Sequence, residues 1–281
     1  MRHVREHLIH EHAARRFRSE YDYALFEYYR SAKVLSFLEA SGASLGGLVL
    51  DAGCGGGGMP LSFAEESAGV VGIDLVNRFG QAGVRLAREQ CRGNLWFAQA
   101  DGQRLPFRDR AFDWVFSHAV IEHVADAPRY LRECARVLVP RGRMYLSTAP
   151  YLSFAGAHLP RLTVPVPLHL LLGRRLAFRT FRALARHAEW ILRERAHENS
   201  FIMIARRGEQ KGDDLLEFVR VQRLRRQIAD AGFRILAEDL YVTSTFRALP
   251  GPLMRWLRDS PWTQDIVVGH VQYVLACHAT S

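Results

Sequence analysis

An apolar strand that ends in a carboxylate and runs into a glycine-rich turn is the feature that most limits the fold of this chain. Five glycines fall within residues 53–58, directly after Leu48-Val49-Leu50-Asp51-Ala52. Only glycine lets the backbone turn this tightly and still approach a ligand without interference from a Cβ atom. Such a turn is typical of a nucleotide-like cofactor site at the carboxyl end of a parallel sheet. Pro60 can then open a helix, because its missing N–H costs nothing in the first turn.

Composition predicts a globular α/β chain. Its 281 residues, of which 48% are hydrophobic, suffice for one large domain or for a domain with an inserted cap. No apolar stretch approaches the roughly 18–20 residues that span a bilayer. Residues 1–20 are charged and histidine-rich, so we expect no secretory signal. The four cysteines are scattered without a CxxC pair, which predicts a reducing, cytoplasmic location and neither a disulfide scaffold nor a metal site.

The net charge of +9 raises the question of an anionic partner. The arginines are spread along the chain instead of forming one basic block, which favours solvated faces over a nucleic-acid surface. A nucleic-acid partner is therefore disfavoured. An anionic substrate, a peripheral membrane contact and a homo-oligomer all stay compatible with this composition.

Alternation of strands and helices predicts the fold class. Apolar runs predict strands at 48–51, 70–74, 95–101, 112–117, 144–148, 233–241 and 270–277. Helical stretches separate most of them, which indicates an α/β fold with a Rossmann-like, doubly wound and mostly parallel sheet. Asp126 is expected to cap the helix before the fifth strand, and Pro140 and Gly142 are expected to end it. Apolar spacing predicts a helix over 213–231 and a short helix within 250–261.

Four segments follow from this pattern. Residues 1–44 carry helical spacing and are expected to form a helical lid, and 45–150 form the cofactor-binding core. Residues 151–212 hold prolines and arginines without the strand–helix rhythm, so we interpret them as an insertion or acceptor cap. Residues 213–281 return to the core sheet.

The glycine spacing alone leaves two cofactor classes open. Gly53, Gly55 and Gly58 satisfy GxGxxG, which is typical of dinucleotide binding and keeps an NAD(P)-dependent oxidoreductase as an alternative. However, Asp51 precedes the first glycine by two residues and would repel a pyrophosphate. A cofactor with a cationic amino-acid end and no phosphate would tolerate that charge. Asp74 ends the second strand, where a carboxylate can accept hydrogen bonds from ribose hydroxyls.

Further motifs occur in order after the glycine turn. They are Gly72-Ile73-Asp74, Ala100-Asp101-Gly102, Leu105-Pro106-Phe107-Arg108-Asp109-Arg110-Ala111-Phe112-Asp113-Trp114-Val115, Glu122-His123-Val124 and Leu138-Val139-Pro140-Arg141-Gly142-Arg143. Together with the turn, these motifs resemble the class I S-adenosylmethionine-dependent methyltransferases, in particular the small-molecule group of the methyltransferase type 11 kind. The resemblance covers about residues 45–150. It implies S-adenosyl-L-methionine as cofactor and an antiparallel last strand.

The resemblance also implies roles for particular residues. Asp51 and the backbone of Gly53 and Gly55 would hold the methionine moiety. Asp74 would bind the ribose. The remaining contacts would be Leu75 against the adenine, Asp101 and Gly102 at the adenine edge, and Ser117 near the sulfonium.

In many relatives an N-terminal helix closes over the cofactor. Arg30 is available here to the cofactor's carboxylate, with Tyr21 and Tyr28 as further candidates for this closure. Packing in the core is the alternative role for the two tyrosines.

Methyl transfer is an in-line displacement that can need a base for an O–H or N–H acceptor. Histidine suits that task near neutral pH, and His118 directly follows Ser117 after the fourth strand. His123 is a second candidate, with a structural role at a helix start as its alternative. His158, just after the fifth strand, is a third. His118 and His123 are not spaced as a metal-binding HExxH motif, and no metal is expected.

The acceptor class is narrowed by an absent motif. Asn/Asp-Pro-Pro-Tyr, found after the fourth strand in enzymes that methylate amide or base amino groups, is replaced here by Ser117-His118-Ala119-Val120. We therefore expect a small-molecule, glycan or lipid acceptor, methylated at oxygen. The segment 159–181 mixes apolar residues with arginines. This composition is compatible with a cap that admits an apolar or anionic acceptor, and also with a packed insertion that has a basic exterior. A catalytically silent cofactor-binding module is a further alternative.

Overall fold

In the computed structural model, residues 2–153, 156, 159–160, 162–164, 166–195, 199–207, 218–243 and 246–278 are described. Within them, seven strands form one sheet in the order β3-β2-β1-β4-β5-β7-β6. The strands are β1 Leu48–Ala52, β2 Gly69–Asp74, β3 Leu95–Gln99, β4 Phe112–His118, β5 Leu138–Thr148, β6 Phe233–Val242 and β7 Val268–Cys277. The first five pair in parallel, whereas β7 is antiparallel to both β5 and β6. This confirms the Rossmann-like sheet with an antiparallel last strand.

Helices cover both faces of this sheet. They are α1 Arg2–Ala13, α2 Glu20–Ala40, α3 Gly58–Phe63, α4 Gly83–Glu89, α5 Ala127–Val137, α6 Leu168–His187, α7 Ser200–Arg206, α8 Val221–Asp230, α9 Gly251–Asp259 and α10 Gln264–Val267. The Ser19 hydroxyl caps α2 by accepting from the Asp22 N–H at 3.0 Å. The Asp126 carboxylate caps α5 in the same way, accepting from the Arg129 N–H at 2.9 Å, with a proline in the first turn.

Two apolar clusters hold the helices to the sheet. One joins α5 and α8 to the sheet through Tyr130, Leu131 and Ile228. The other joins α2, α3 and α4 to the opposite face through Leu35, Phe63, Leu86 and their neighbours. Each fully buried large apolar side chain contributes about 1.5–3 kcal/mol relative to exposure. Helix α2 is therefore fixed to the sheet that carries the glycine turn.

Two predicted boundaries were wrong. Helix α5 ends at Val137, and β5 begins at Leu138 and runs through Pro140 and Gly142, which the sequence pattern had assigned to the helix end. The helix predicted over 213–231 begins only at Val221, since 218–220 are not helical and 208–217 lie outside the described residues. The buried Asp265 carboxylate accepts from the Val221 N–H at 2.7 Å and so fixes that start from a distant segment.

The segment after β5 has its own apolar cluster. Helices α6 and α7 pack around Ala177, Phe181 and Ile202. Helix α6 is interrupted at Gly173, which has a φ of 70°. Among the described parts of the chain, no helix is long and apolar enough to cross a membrane.

Candidate functional site

The carboxyl edge of the sheet collects the residues that the sequence singled out. Asp51 lies in β1 and Asp74 ends β2, and β1 lies between β2 and β4. Crossover connections leave the two sides of β1 in opposite directions, which opens a crevice at this edge. The glycine turn lies directly at that crevice.

Backbone geometry explains the first two glycines of the fingerprint. Gly53 has a φ of 102° and Gly55 a φ of 53°, both in the region that favours glycine. A Cβ on Gly53 would lie 2.3 Å from the Val120 side chain. The Asp74 carboxylate accepts from the Gly55 N–H at 2.9 Å and from the Val76 N–H at 3.0 Å. Asp74 therefore fixes the shape of the turn, in addition to the ribose contact that the resemblance implies.

The third glycine of the fingerprint has a different task. A Cβ on Gly58 would lie 1.8 Å from the Ala24 carbonyl oxygen, because the backbone of α2 rests directly on this residue. A Cβ on Gly56 would make a tight contact rather than a clash, at 3.2 Å from the Ala24 Cβ. This contact does not follow from the sequence pattern, where its one signal is a glycine that no turn requires. The glycine-rich segment thus both forms the cofactor turn and receives α2.

The two tyrosines that were candidates for closing the site fasten α2 to α4 and to the turn after α3. The Tyr21 hydroxyl donates to Glu89 at 2.6 Å, and the Tyr28 hydroxyl donates to Glu65 at 2.7 Å. Both carboxylates belong to the face of the sheet that α2 covers. These contacts support the alternative in which the tyrosines pack α2.

Three carboxylates lie close enough to influence one another around the turn. Burial raises the pKa of Asp51 well above its usual range, and the charges of Glu27 and Asp74 raise it further. Burial also raises the pKa of Glu27 to about 7, although the positive charge of Arg30 opposes the shift. Asp51 is 2% exposed and Glu27 is 8% exposed. A concentration of buried negative charge of this kind is complementary to a cation.

Arg30 reaches the same region from α2. Its Nη2 lies 3.2 Å from Glu27 Oε1, and its guanidinium carbon lies 5.2 Å from the centre of the Phe26 ring. Arg30 also lowers the pKa values of His118 and His270 through its charge. Its charge therefore acts on both Glu27 and the histidines.

Residues assigned to the adenine end lie at the ends of β2 and β3. The Leu75 side chain is 65% exposed, and Asp101 is exposed with Oδ1 accepting from the Gln103 N–H at 2.8 Å. Gly102 packs on the Tyr130 ring, where a Cβ would lie 2.6 Å from a ring carbon. The Leu75 and Asp101 side chains are accessible to a ligand at this edge, which is compatible with adenine contacts.

Ser117 has a buried partner inside the protein. Its Oγ lies 2.9 Å from the Tyr130 hydroxyl, which is also 3.1 Å from the Ala52 carbonyl oxygen. Burial raises the pKa of Tyr130 well above its usual range, so this phenol stays protonated. The Ser117 side chain thus ties the end of β4 to α5 and β1.

His118 begins a line of hydrogen-bonded side chains that crosses the sheet. In register, His118 of β4 pairs with Ser147 of β5, which pairs with Gln272 of β7. Ser147 Oγ is 3.0 Å and the Tyr145 hydroxyl is 3.3 Å from His118 Nδ1. We call His118, Ser147, Tyr145, Gln272 and Tyr241 the polar chain.

The other two histidine candidates are less informative. His123 ends the short 3₁₀ helix Ile121–His123 and is exposed, while its neighbour Glu122 is buried and accepts from the Thr148 hydroxyl at 2.8 Å. Burial raises the pKa of Glu122 to about 7. His158 lies outside the described residues. No group of three His, Cys, Asp or Glu side chains in the described segments could hold a metal ion.

The sheet order and the carboxylate-lined glycine turn define a Rossmann-like methyltransferase fold. A family model described as a methyltransferase domain matches residues 50–146. The ubiquinone biosynthesis O-methyltransferase of Sodalis glossinidius is 36% identical over 119 residues, which cover 40% of this chain and 45% of that protein. The demethylmenaquinone methyltransferase of Tropheryma whipplei is 33% identical over 129 residues, covering 42% and 52%. The matches thus span about half the length of these relatives.

Solved structures agree in fold. The YcgJ protein from Bacillus subtilis superposes with a TM-score of 0.53 at 14% identity, covering 90% of this chain and 100% of that one. An S-adenosylmethionine-dependent methyltransferase from Mesorhizobium loti superposes with a TM-score of 0.50 at 18% identity, covering 86% and 96%. The sequence matches and the shared fold support a class I S-adenosylmethionine-dependent methyltransferase. They favour S-adenosylmethionine over the dinucleotide alternative that the glycine spacing had left open.

The site residues fit S-adenosylmethionine as cofactor. The buried carboxylates around the glycine turn complement a ligand that carries an ammonium and a sulfonium. Glu27 Oε2 and Arg30 Nε are both buried and, within the described part of the chain, have no hydrogen-bond partner. Asp51 and the turn would hold the cofactor's charged amino-acid end, Asp74 its ribose, and Leu75 and Asp101 its adenine end.

Proposed function

We propose that this protein is an enzyme that transfers the methyl group of S-adenosylmethionine to an oxygen atom of a small-molecule, glycan or lipid acceptor, with His118 as the base. The observation that carries the proposal is the position of His118, two residues past the β4 partner of Asp51. When bound, the cofactor supplies an electrophilic methyl group on a sulfonium. The protein's remaining tasks are to align the acceptor and to take up its proton.

The assignment of hydrogen-bond donors and acceptors along the polar chain supports His118 as a base. The single Tyr145 hydroxyl hydrogen is donated to Gln272 Oε1 at 3.1 Å, and Gln272 Nε2 donates to the Tyr241 hydroxyl at 2.9 Å. The Tyr145 oxygen is then left as an acceptor, so its 3.3 Å contact with His118 Nδ1 requires a hydrogen on that nitrogen. Ser147 Oγ, at 3.0 Å, can accept from the same Nδ1–H. With the proton on Nδ1, the lone pair of Nε2 is free to accept one.

Electrostatics around His118 support the same role. Burial and the positive charge of Arg30 hold the pKa of His118 well below its usual range, and His270 lowers it further. Burial and Arg30 also lower the pKa of His270 to about 4. Both imidazoles are therefore neutral at pH 7 and can accept a proton. The charge of Arg30 also favours an acceptor that turns into an oxyanion as it loses its proton, such as a phenol.

The names of the two relatives reported above, which refer to quinone biosynthesis, support a small-molecule acceptor. His123 and His158 stay secondary candidates for the base. Four free cysteines support the predicted cytoplasmic location. We propose the segment 151–212 as the acceptor cap.

Exposed leucines and arginines along α6 support a lipid acceptor reached at a membrane surface. Leu171 and Leu176 are 69% and 51% exposed, and the neighbouring Arg175 and Arg179 are exposed as well. Exposed leucines beside arginines are typical of helices that lie on anionic lipid. Sedimentation with phosphatidylglycerol vesicles is expected to carry the protein down, and Leu171→Glu/Leu176→Glu to abolish this. Equal sedimentation of both proteins would exclude α6 as the lipid contact.

The reaction class is tested by methyl transfer from methyl-labelled S-adenosylmethionine to a panel of catechols, hydroquinones, sugars and isoprenoid phenols. Labelled product with the methyl on oxygen, located by NMR, is the expected result. Transfer to nitrogen or carbon would contradict the oxygen assignment. Calorimetric binding of S-adenosylhomocysteine without turnover on any member of the panel would favour the catalytically silent module instead.

A further inference from the structure

Helix α2 presents two oppositely charged side chains, each with an unused hydrogen-bonding atom. Glu27 and Arg30 pair through Glu27 Oε1 and Arg30 Nη2 at 3.2 Å. The other carboxylate oxygen, Oε2, and the guanidinium Nε are buried and unpartnered within the described residues. Buried charged atoms of this kind normally have a partner, because leaving one unpaired costs about 1–3 kcal/mol or more. Their open positions indicate that an external ligand completes the pair.

The position of Glu27 indicates which part of a ligand would contact it. Its Oε2 lies 3.5 Å from the position that a Cβ on Gly55 would occupy, so the carboxylate faces the cofactor turn. Asp51 and Asp74 lie on the strands beneath that turn and are close enough to interact electrostatically with Glu27. Any side chain larger than hydrogen at residue 55 would reduce the space above the turn.

The charges that surround Glu27 come from several elements. Tyr23 and Arg30 approach it on α2, Arg78 from the loop after β2, and Asp74 from the end of β2. With Asp51, three carboxylates and one phenol thus share the space with two guanidinium groups, of which Arg30 uses only part of its donors. A ligand that brings both an ammonium and a carboxylate would satisfy Glu27 and Arg30 together.

We propose that Glu27 and Arg30 form a clamp for the zwitterionic amino-acid end of S-adenosylmethionine, in which Glu27 binds the ammonium and Arg30 the carboxylate. Asp51 then contacts the same ammonium as Glu27 from below the turn, and α2 forms one wall of the cofactor site. The new element is Glu27, which belongs to no motif of the glycine turn. The proposal rests on the cofactor, and its test measures ligand binding, so its failure is distinguishable from a failure of the proposed acceptor or of His118 as the base.

The clamp predicts that the affinity for a ligand depends on whether the ligand carries the amino-acid end of the cofactor. S-adenosylhomocysteine carries that end, whereas 5′-methylthioadenosine has the same nucleoside and thioether without it. Calorimetry with both ligands on the full chain tests the clamp. Glu27→Gln is expected to weaken S-adenosylhomocysteine by about 10-fold or more, because a charge-assisted hydrogen bond is lost. Binding of 5′-methylthioadenosine is expected to stay within about two-fold of the unaltered protein.

Arg30→Gln is expected to give the same selective loss. Glu65→Gln is the matched control: Glu65 is similarly buried, accepts from Tyr28 of α2 and pairs with Arg92, yet lies outside the clamp. It is expected to leave both affinities unchanged.

Normal binding of 5′-methylthioadenosine also reports that the variant is folded. An unchanged affinity of Glu27→Gln for S-adenosylhomocysteine would overturn the clamp. An equal loss for both ligands would overturn it as well, since it would make Glu27 a residue that only supports the fold. Neither result would bear on oxygen methylation, which is read from turnover.

Discussion

The two halves of the sheet's carboxyl edge differ in how their polar side chains are paired. At the ends of β1 and β2, Glu27, Asp51 and Asp74 crowd like charges around the glycine turn, and Glu27 keeps an unpartnered oxygen within the described chain. At the ends of β4, β5 and β7, the polar chain satisfies itself from Tyr241 to His118. The first half is complete only with a charged ligand. The second half forms hydrogen bonds among its own side chains, which reach His118 at Nδ1.

This contrast predicts different tasks for the two halves: cofactor binding for the first half and proton uptake during methyl transfer for the second. Unpaired buried charge raises the free energy of the ligand-free protein and is relieved by a ligand of opposite sign. A satisfied network instead holds one side chain in one protonation state. Variants in the first half should therefore change cofactor affinity, and variants in the second half should change turnover.

The largest effect is expected for His118→Asn. Loss of a general base lowers kcat by about 10²–10⁴-fold, while the dissociation constant of S-adenosylhomocysteine should stay unchanged because His118 lies in the second half. Steady-state kinetics with the acceptor found in the panel, together with calorimetry, measures both. His278→Asn is the matched control, since His278 is exposed, follows the end of β7 and is no candidate for the base. Full turnover in His118→Asn would remove His118 as the base.

Asp74→Ala is expected to weaken S-adenosylhomocysteine by about 100-fold, because it removes both the ribose acceptor and the hydrogen bonds that shape the turn. Asp113→Ala is the control, since Asp113 accepts from the Leu48 N–H at the other end of β1. Calorimetry of both variants provides the comparison. Unchanged cofactor binding in Asp74→Ala would refute the ribose assignment.

Gly58→Ala tests the contact between the turn and α2. The added Cβ would lie 1.8 Å from the Ala24 carbonyl oxygen, so α2 must shift, at a cost of about 1–3 kcal/mol in the free energy of unfolding. Urea denaturation measures this loss. Gly93→Ala is the matched control, because a Cβ there meets nothing within 4 Å. Equal stability of the two variants would show that α2 does not depend on Gly58.

Cofactor affinity should depend on pH through Glu27. Its pKa is raised to about 7 by burial, and the ammonium ligand requires the ionised form. Affinity for S-adenosylhomocysteine should therefore fall by about 10-fold from pH 8 to pH 6, as Glu27 takes up a proton. Glu27→Gln should flatten this profile, and a profile as steep as that of the unaltered protein would assign the dependence to another group.

The smallest effect is expected for Tyr145→Phe. It removes one link of the polar chain, worth about 1 kcal/mol, so kcat should fall about five-fold without a change in cofactor affinity. Because the pKa of His118 is lowered, the acid limb of kcat in the unaltered protein should lie below pH 6.5. In Tyr145→Phe this limb is expected to shift, which a purely structural role of Tyr145 would not produce.

The fold could be predicted well from local patterns. Apolar runs, the Asp126 cap and the glycine turn are contiguous features, and each has a direct conformational consequence. The errors came where a distant group decided a boundary. Asp265 fixes the start of α8 from 44 residues away, and β5 passes through Pro140 and Gly142. Local propensity does not contain such long-range contacts.

The sequence by itself determined the sheet, the cofactor class and the order of the motifs, because these depend on short spacings along the chain. Only the tertiary structure decided what lies above the glycine turn. Glu27 follows no motif, and its approach to Gly55 arises because α2 rests on Gly58. The pairing of His118 with Ser147 and Gln272 likewise depends on strand register across β4, β5 and β7. Neighbours brought together from distant positions set charge and protonation, and these follow from packing rather than from sequence spacing.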